Sequence, residues 1–312
     1  MSSNPTGASL KSAPRAAEEA LKKFFPIDET LYSLEGEELA FMKAQTDIQD
    51  EEELKKHVLA VQKEAYAVFP FPCIRRYAFL KFKLPRLPGY DRVLKLGRER
   101  EGAILLDIGC CFGNDVRAAA ADGFPVKQIV ASDLYGDYWR LGHNLFRSTE
   151  ETFPAKFIAG DAFDPGHLAV VPPVYVAGPE TIPDLSTLTS LNPLHGHVAI
   201  IHASSFFHLF NEEQQAHLAH ALAGLLCPLP GSMLIGSHGA LPEKGLRTDS
   251  VGPNGNVVSM FCHSPESWTE LWDGGVFEKG TVKVEARLID HLSFMGMKDG
   301  KSYIMQWSVT RL

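Results

Sequence analysis

The chain has 312 residues, 45% of them apolar, with a formal net charge of −8 and five cysteines. That length and apolar share allow one large core with an appendage. No apolar run approaches the ~20 residues that span a bilayer, and Met1–Pro5 lacks the charged and apolar regions of a signal peptide. An odd cysteine count that includes the adjacent pair Cys110 and Cys111 reads as reduced thiols in a cytoplasmic protein. Negative charge without a basic stripe argues against a nucleic-acid partner.

Residues 1–20 mix Ser, Asn, Pro, Gly and Ala without apolar periodicity, which predicts a flexible N-terminus. From Asp28 to Val68 the apolar residues Leu31, Leu34, Leu39 and Met42, then Leu54, Val58, Val61, Ala65 and Val68, recur at helical spacing. The segment Phe69–Tyr77 then breaks the helical pattern with two prolines and crowds aromatic and cationic groups, Arg75 and Tyr77 among them, into a few positions. Such a corner suits either a lid over a ligand or a connection packed on the core. Residues 21–100 thus read as a helical extension and 101–312 as the main domain.

Residues 103–235 alternate apolar runs with helical segments, as a parallel sheet with crossovers requires. The runs are Ala103–Leu106, Gln128–Ser132, Lys156–Ala159, Val198–His202 and Ser232–Gly236. A helix is predicted from Asn211 as N-cap, with Gln214 completing a capping box, through Leu226. Another starts at Ser264 with Pro265 in its first turn and carries Trp268, Leu271 and Trp272 on a core face. Thr281–Asp290 and Ser302–Arg311 alternate apolar and polar residues around a Gly296–Gly300 connection, which predicts a closing antiparallel hairpin. The Pro-, Ser- and Thr-rich stretch Asp164–Gly196 exceeds an ordinary connection, which suggests that part of it is a surface insertion.

The chemistry gathers at the ends of the first three runs. Asp107-Ile108-Gly109-Cys110-Cys111-Phe112-Gly113 is a strand-to-helix loop with glycines where positive φ or a close ligand is needed. Its Asp-x-Gly-x-x-x-Gly spacing differs from the dinucleotide fingerprint, and the two cysteines crowd the place of a pyrophosphate, so a ligand without phosphates is favoured. Asp133 ends the second run, where such sheets bind ribose hydroxyls. Asp161 ends the third, placed to accept from an exocyclic amine, with Phe163 to cover a purine face. This pattern resembles the class I S-adenosylmethionine-dependent methyltransferases. The resemblance implies a Rossmann-like α/β sheet with an antiparallel hairpin at its end, here preceded by a helical lid, and S-adenosyl-L-methionine as cofactor. It further implies cofactor contacts from Asp107, Gly109, Cys110, Gly113, Asp133, Leu134, Asp161, Ala162, Phe163 and Ser204.

The segment after the fourth run, His202-Ala203-Ser204-Ser205-Phe206-Phe207-His208-Leu209-Phe210, is where this fold commonly flanks the reacting methyl. It has no Asp/Asn-Pro-Pro-aromatic motif, which disfavours methylation of nucleic-acid bases, and no carboxylate cluster to hold a hard cation. His195, His197, His202 and His208 lack an accompanying metal motif, so no metal is assigned. His208 is the candidate catalytic residue, as a base or as a hydrogen-bond partner of the acceptor, with Phe206 and Phe207 as apolar walls. Taken with Pro70–Arg75, the double-cysteine loop and His263-Ser264-Pro265-Glu266-Ser267-Trp268, the segment resembles the fungal methyltransferases of meroterpenoid biosynthesis, the family of the austinol and terretonin pathway enzymes. That resemblance implies carboxyl O-methylation of a prenylated or terpenoid small molecule, with Arg75, Tyr77, Phe206, Phe207 and His208 facing the acceptor. The alternatives are hydroxyl methylation with His208 as base, and a cofactor-binding protein without transferase activity. Oligomeric state is not legible.

Overall fold

Five parallel strands follow the five apolar runs: β1 (Ile104–Ile108), β2 (Ile129–Asp133), β3 (Lys156–Ala159), β4 (Val198–His202) and β5 (Met233–Ala240). The structure, a computed structural model, describes residues 19, 22–176, 178, 183–251, 257–290 and 302–312. The flexible N-terminus expected over 1–20 lies outside these residues apart from Glu19, as does the Gly296–Gly300 turn. β1 and β4 are buried throughout, as strands covered on both faces must be. The strand order β3-β2-β1-β4-β5-β9-β8 reverses its direction of build between β1 and β4, and a crevice opens there at the carboxyl ends of the strands. β8 (Val282–Asp290) and β9 (Tyr303–Arg311) close the sheet as the expected antiparallel pair, with β9 also antiparallel to β5. The order and the inverted last strand are those of the class I methyltransferase fold.

The N-terminal extension forms α1 (Gly36–Thr46) and α2 (Glu51–Val68). Asp50 caps α2 by accepting from Glu53 N–H, and Glu51, Glu52 and Glu53 complement its N-terminal dipole. Its buried face, Leu54, Val58, Val61 and Ala65, shares one apolar cluster with Phe112, Tyr138, Leu141, Leu145 and Phe146 of the main domain. Full burial of each Leu or Val contributes about 1.5–3 kcal/mol. The Phe69–Tyr77 corner contains the short helix α3 (Pro72–Arg75), and Tyr138 Oη donates to Phe69 O at 3.0 Å. The helices therefore share an apolar cluster of their own with the glycine loop and the helix that follows β2.

Past α3, the chain is stapled to the main domain by α5. After α4 (Tyr90–Glu99), the helix α5 (Asn114–Ala121) begins, and its Asp115 accepts from Lys83 N–H at 2.7 Å and Leu84 N–H at 2.8 Å. Asn114 Nδ2 donates to Lys81 O at 3.1 Å. The helix α6 (Gly136–Leu145) follows β2, α7 (Glu212–Leu225) carries the anticipated capping box at Asn211, and α8 (Pro265–Trp272) starts at the anticipated N-cap Ser264, which also forms a capping box with Ser267. Trp268 and Trp272 are fully buried.

Two features depart from expectation. The stretch from 164 to 196 sends Leu168, Leu188, Leu191 and Leu194 into the main core, so its described part is more than a surface insertion. Arg311 holds it from the sheet side, stacked between Tyr175 and Phe277 and donating to Val174 O. Between β5 and α8 the chain also makes a separate two-stranded sheet, β6 (Gly245–Val251) with β7 (Val257–Cys262), where no strand is predicted.

Candidate active site

The glycine loop leaves β1 through Gly109 at φ +72° and Cys111 at φ +53°, and Gly113 at φ +72° is the N-cap of α5. A Cβ on Gly113 would lie 2.5 Å from the Trp139 ring, so the loop requires glycine there both for φ and for space. Cys110 turns into the core and burial raises its thiol well above the ordinary range. Cys111 contributes its backbone, donating N–H to Asp133 Oδ2 at 2.9 Å while Tyr135 N–H donates to Oδ1 at 3.0 Å. Each Asp133 oxygen keeps a lone pair for a further donor. Burial pushes the Asp133 carboxyl up to about 6, with these backbone N–H groups opposing it.

Asp161 Oδ1 accepts from Phe163 N–H at 3.0 Å, which fixes the turn after β3, and Ala162 and Leu134 are half-buried beside the two acids. The Phe163 ring lies 5.0 Å from that of Phe210 and 5.5 Å from that of His217, beside a cavity of ≈ 310 Å³ also lined by Asn211 and Gln214. A larger cavity of ≈ 390 Å³, lined by Phe41, Phe82, Tyr90 and Asp122, contains none of the strand-end acids.

Asp107 is placed differently from Asp133 and Asp161. It is 3% exposed, pairs with His202 across the β1–β4 register, and accepts from His202 Nδ1 at 2.8 Å. His202 Nε2 in turn meets Ser204 Oγ at 2.7 Å, so Asp107 Oδ1, His202 and Ser204 form one chain of hydrogen bonds. Phe206 borders the glycine loop, since a Cβ on Gly109 would meet its ring at 2.8 Å. Phe207 instead enters the core, fully buried against Trp268 and Trp307.

His208 lies in the turn Phe207–Leu209 and accepts from Gly239 N–H through Nδ1 at 3.0 Å. That bond leaves the ring proton on Nε2. Burial, then the charges of Arg247 and Lys83, push its pKa down to about 4, so at neutral pH it is an uncharged ring with a donor on Nε2. Arg247, on β6, reaches the same place: its Nη1 is 3.8 Å, and His208 Nδ1 3.7 Å, from where a Gly239 Cβ would stand. Lys83 acts by charge on Asp107, His202, His208 and Cys111 together.

Arg75 and Tyr77 are carried elsewhere. Arg75 Nε donates to Pro26 O at 2.8 Å and the guanidinium lies 3.7 Å from Asp28, so its described partners belong to the N-terminal segment. Tyr77 is wholly buried against Tyr32 and Phe79, which makes it part of the helical core. Lys83 and Arg247 escaped the sequence reading because neither sits in a motif: one is delivered by the staple to α5, the other by the β6–β7 pair. His195, His202 and His208 have separate partners, and among the described residues no group of three or more His, Cys, Asp or Glu is placed to hold a metal.

The crevice fits S-adenosylmethionine by its donor set: two strand-end carboxylates, a glycine loop at the end of β1, and an aromatic ring beside the second acid. Residues 27–80 match the family model described as the meroterpenoid methyltransferase N-terminal domain. Over 230 residues the chain is 30% identical to the O-methyltransferase phiE of Fungal sp. (strain ATCC 74256), covering 74% of this chain and 68% of that one. It is 32% identical over 220 residues to the asnovolin E/chermesin D methyltransferase nvfJ of Aspergillus novofumigatus, covering 70% of this chain and 69% of that one. Among solved structures, an S-adenosylmethionine-dependent methyltransferase from Mesorhizobium loti is 11% identical with a TM-score of 0.43, covering 73% of this chain and all of that one. The chain thus belongs to the fungal O-methyltransferase family of these relatives, S-adenosylmethionine-dependent enzymes on the class I methyltransferase fold.

Proposed function

We propose that the enzyme methylates a carboxylate oxygen of a small, largely apolar terpenoid acceptor and releases a methyl ester. S-adenosylmethionine supplies a methyl group already activated on its sulfonium. The protein's task is to hold the acceptor oxygen in line with it and to exclude water. Asp133 accepts from the ribose hydroxyls, Asp161 from the adenine amine, and Phe163 covers the adenine face. The glycine loop and Lys83 take the amino-acid end.

The observation that carries the carboxylate reading is the state of His208. Its Nδ1 lone pair is engaged by Gly239, its Nε2 carries the proton, and Arg247 and Lys83 add positive charge around it. A hydroxyl acceptor needs a base, and this histidine is poorly disposed to be one. A carboxylate is ionised at neutral pH, needs no base, and is the group that a neutral donor beside two cations receives well. His208 then donates to one carboxylate oxygen while the other attacks. As the new C–O bond forms and the S–C bond breaks, both the acceptor's negative charge and the sulfonium's positive charge are consumed.

The test incubates the enzyme with labelled S-adenosylmethionine and a panel of prenylated aromatic acids, phenols and terpenols. Mass spectrometry identifies the product. Label released as methanol by alkaline hydrolysis supports an ester, and an alkali-stable methyl ends the carboxylate reading. His208→Asn, which keeps a donor, is expected to lose about tenfold or less in turnover, roughly 1.4 kcal/mol. A loss of about 10²- to 10⁴-fold, recovering as pH rises, would instead mark a base.

A further inference from the structure

We propose that Asp107, His202 and Ser204 form a buried relay in which a proton on His202 turns the Ser204 hydroxyl outward, as a hydrogen-bond donor to the carboxylate of S-adenosylmethionine. This inference rests on the cofactor assignment and is independent of the acceptor.

The three side chains come from the end of β1, the end of β4 and the loop after it. They are 3%, 2% and 7% exposed, and the two linking contacts are 2.8 and 2.7 Å. Ser204 Oγ also accepts from Ser237 N–H of β5 at 3.2 Å. With His202 charged, Nδ1–H is bound by Asp107 and Nε2–H by Ser204. Both lone pairs of Ser204 Oγ are then filled, so its own proton must be donated elsewhere. The neighbouring Ser237 Oγ is itself placed as a donor toward Ser204 Oγ, at 3.4 Å, and competes only weakly for that proton. With His202 neutral, Nε2 becomes an acceptor and the Ser204 hydroxyl turns inward to it.

The direction of titration follows from the surroundings. Burial opposes the charged ring, but the charge and hydrogen bond of Asp107 more than offset it, with Asp115 of α5 adding to the effect and Lys83 opposing. The balance holds His202 above the ordinary histidine range. The outward donor is therefore present below the raised His202 pKa and lost as pH rises through it. The ligand end follows from place. The Ser204–Phe206 loop touches the glycine loop where Phe206 covers Gly109, and Lys83 brings a cation to the same end of the crevice. An anionic amino-acid carboxylate answers both.

Calorimetry with S-adenosylhomocysteine from pH 6.5 to 9 tests the relay on the full chain. The amine of the probe titrates in every variant, so the readout is the difference from wild type. Ser204→Ala is expected to weaken binding about tenfold at pH 7 and to converge on wild type at pH 9. His202→Gln should lose the same part of the pH dependence, and ¹⁵N-histidine spectra of the unliganded protein should show an imidazolium signal at pH 7 that this substitution removes. Asp107→Asn should move that titration to lower pH. Equal pH profiles for wild type and Ser204→Ala, or a neutral His202 at pH 7, overturn the relay while leaving the cofactor assignment standing. A probe that binds at no pH overturns both.

Discussion

The floor and the wall of the crevice each hold a shielded histidine, His202 and His208, on one nine-residue segment from His202 to Phe210, and their pKa values move in opposite directions. Burial pushes both toward neutrality. At the floor a carboxylate answers His202 and raises its pKa above the ordinary histidine range. At the wall His208 meets a backbone N–H and two cations, and its pKa falls further. Burial alone thus decides neither role; the nearest partner does. The floor can carry a fixed proton behind the cofactor, and the wall can offer a neutral donor to an anion in front of it.

Removing the floor's carboxylate should break the comparison most severely. Asp107→Ala strands His202 in the core, with an expected loss of about 3–5 kcal/mol read as a lowered denaturation midpoint. A loss under about 1 kcal/mol would mean that the pair does not hold charge. At the wall, Arg247→Gln removes a cation without touching the cofactor loop. The Michaelis constant for a carboxylate acceptor should rise roughly 10- to 100-fold, with S-adenosylhomocysteine affinity unchanged. An unchanged constant would take Arg247 out of the acceptor site.

The acid side of the pH profile sharpens the comparison by isolating a third group. With its pKa pushed up to about 6, Asp133 is ionised at pH 7, and hydroxyls that donate to it favour that form. S-adenosylhomocysteine affinity should therefore be full above pH 6 and fall as pH drops below it, approaching about tenfold per unit. Asp133→Asn should flatten that limb. The smallest effect is expected at Arg75, whose described contacts are with Pro26 and Asp28. Arg75→Lys should leave turnover within about twofold and stability within about 1 kcal/mol; a large loss of turnover would return Arg75 to the site.

Local signals carried much of this molecule. The five apolar runs, the helix N-caps at Asn211 and Ser264, the closing antiparallel pair and the turn glycines are properties of short stretches, because period, capping and φ are set by near neighbours. The acids Asp107, Asp133 and Asp161 were legible as strand ends for the same reason. Which way each one faces was not. Asp107 turns to His202 because the β1–β4 register sets them side by side, a pairing between residues far apart in the chain. Tyr77 and Phe207 read as site residues but were drawn into aromatic cores assembled from distant segments. Lys83 and Arg247 carried no motif and gained their position from the clasp of Asp115 and from the β6–β7 pairing. The sequence by itself determined the class of sheet, the cofactor loop and the chemistry available at its rim. Only the tertiary structure decided which way each histidine's pKa moves and which charges move it, because a side chain's titration depends on the partners that folding brings within a few ångströms.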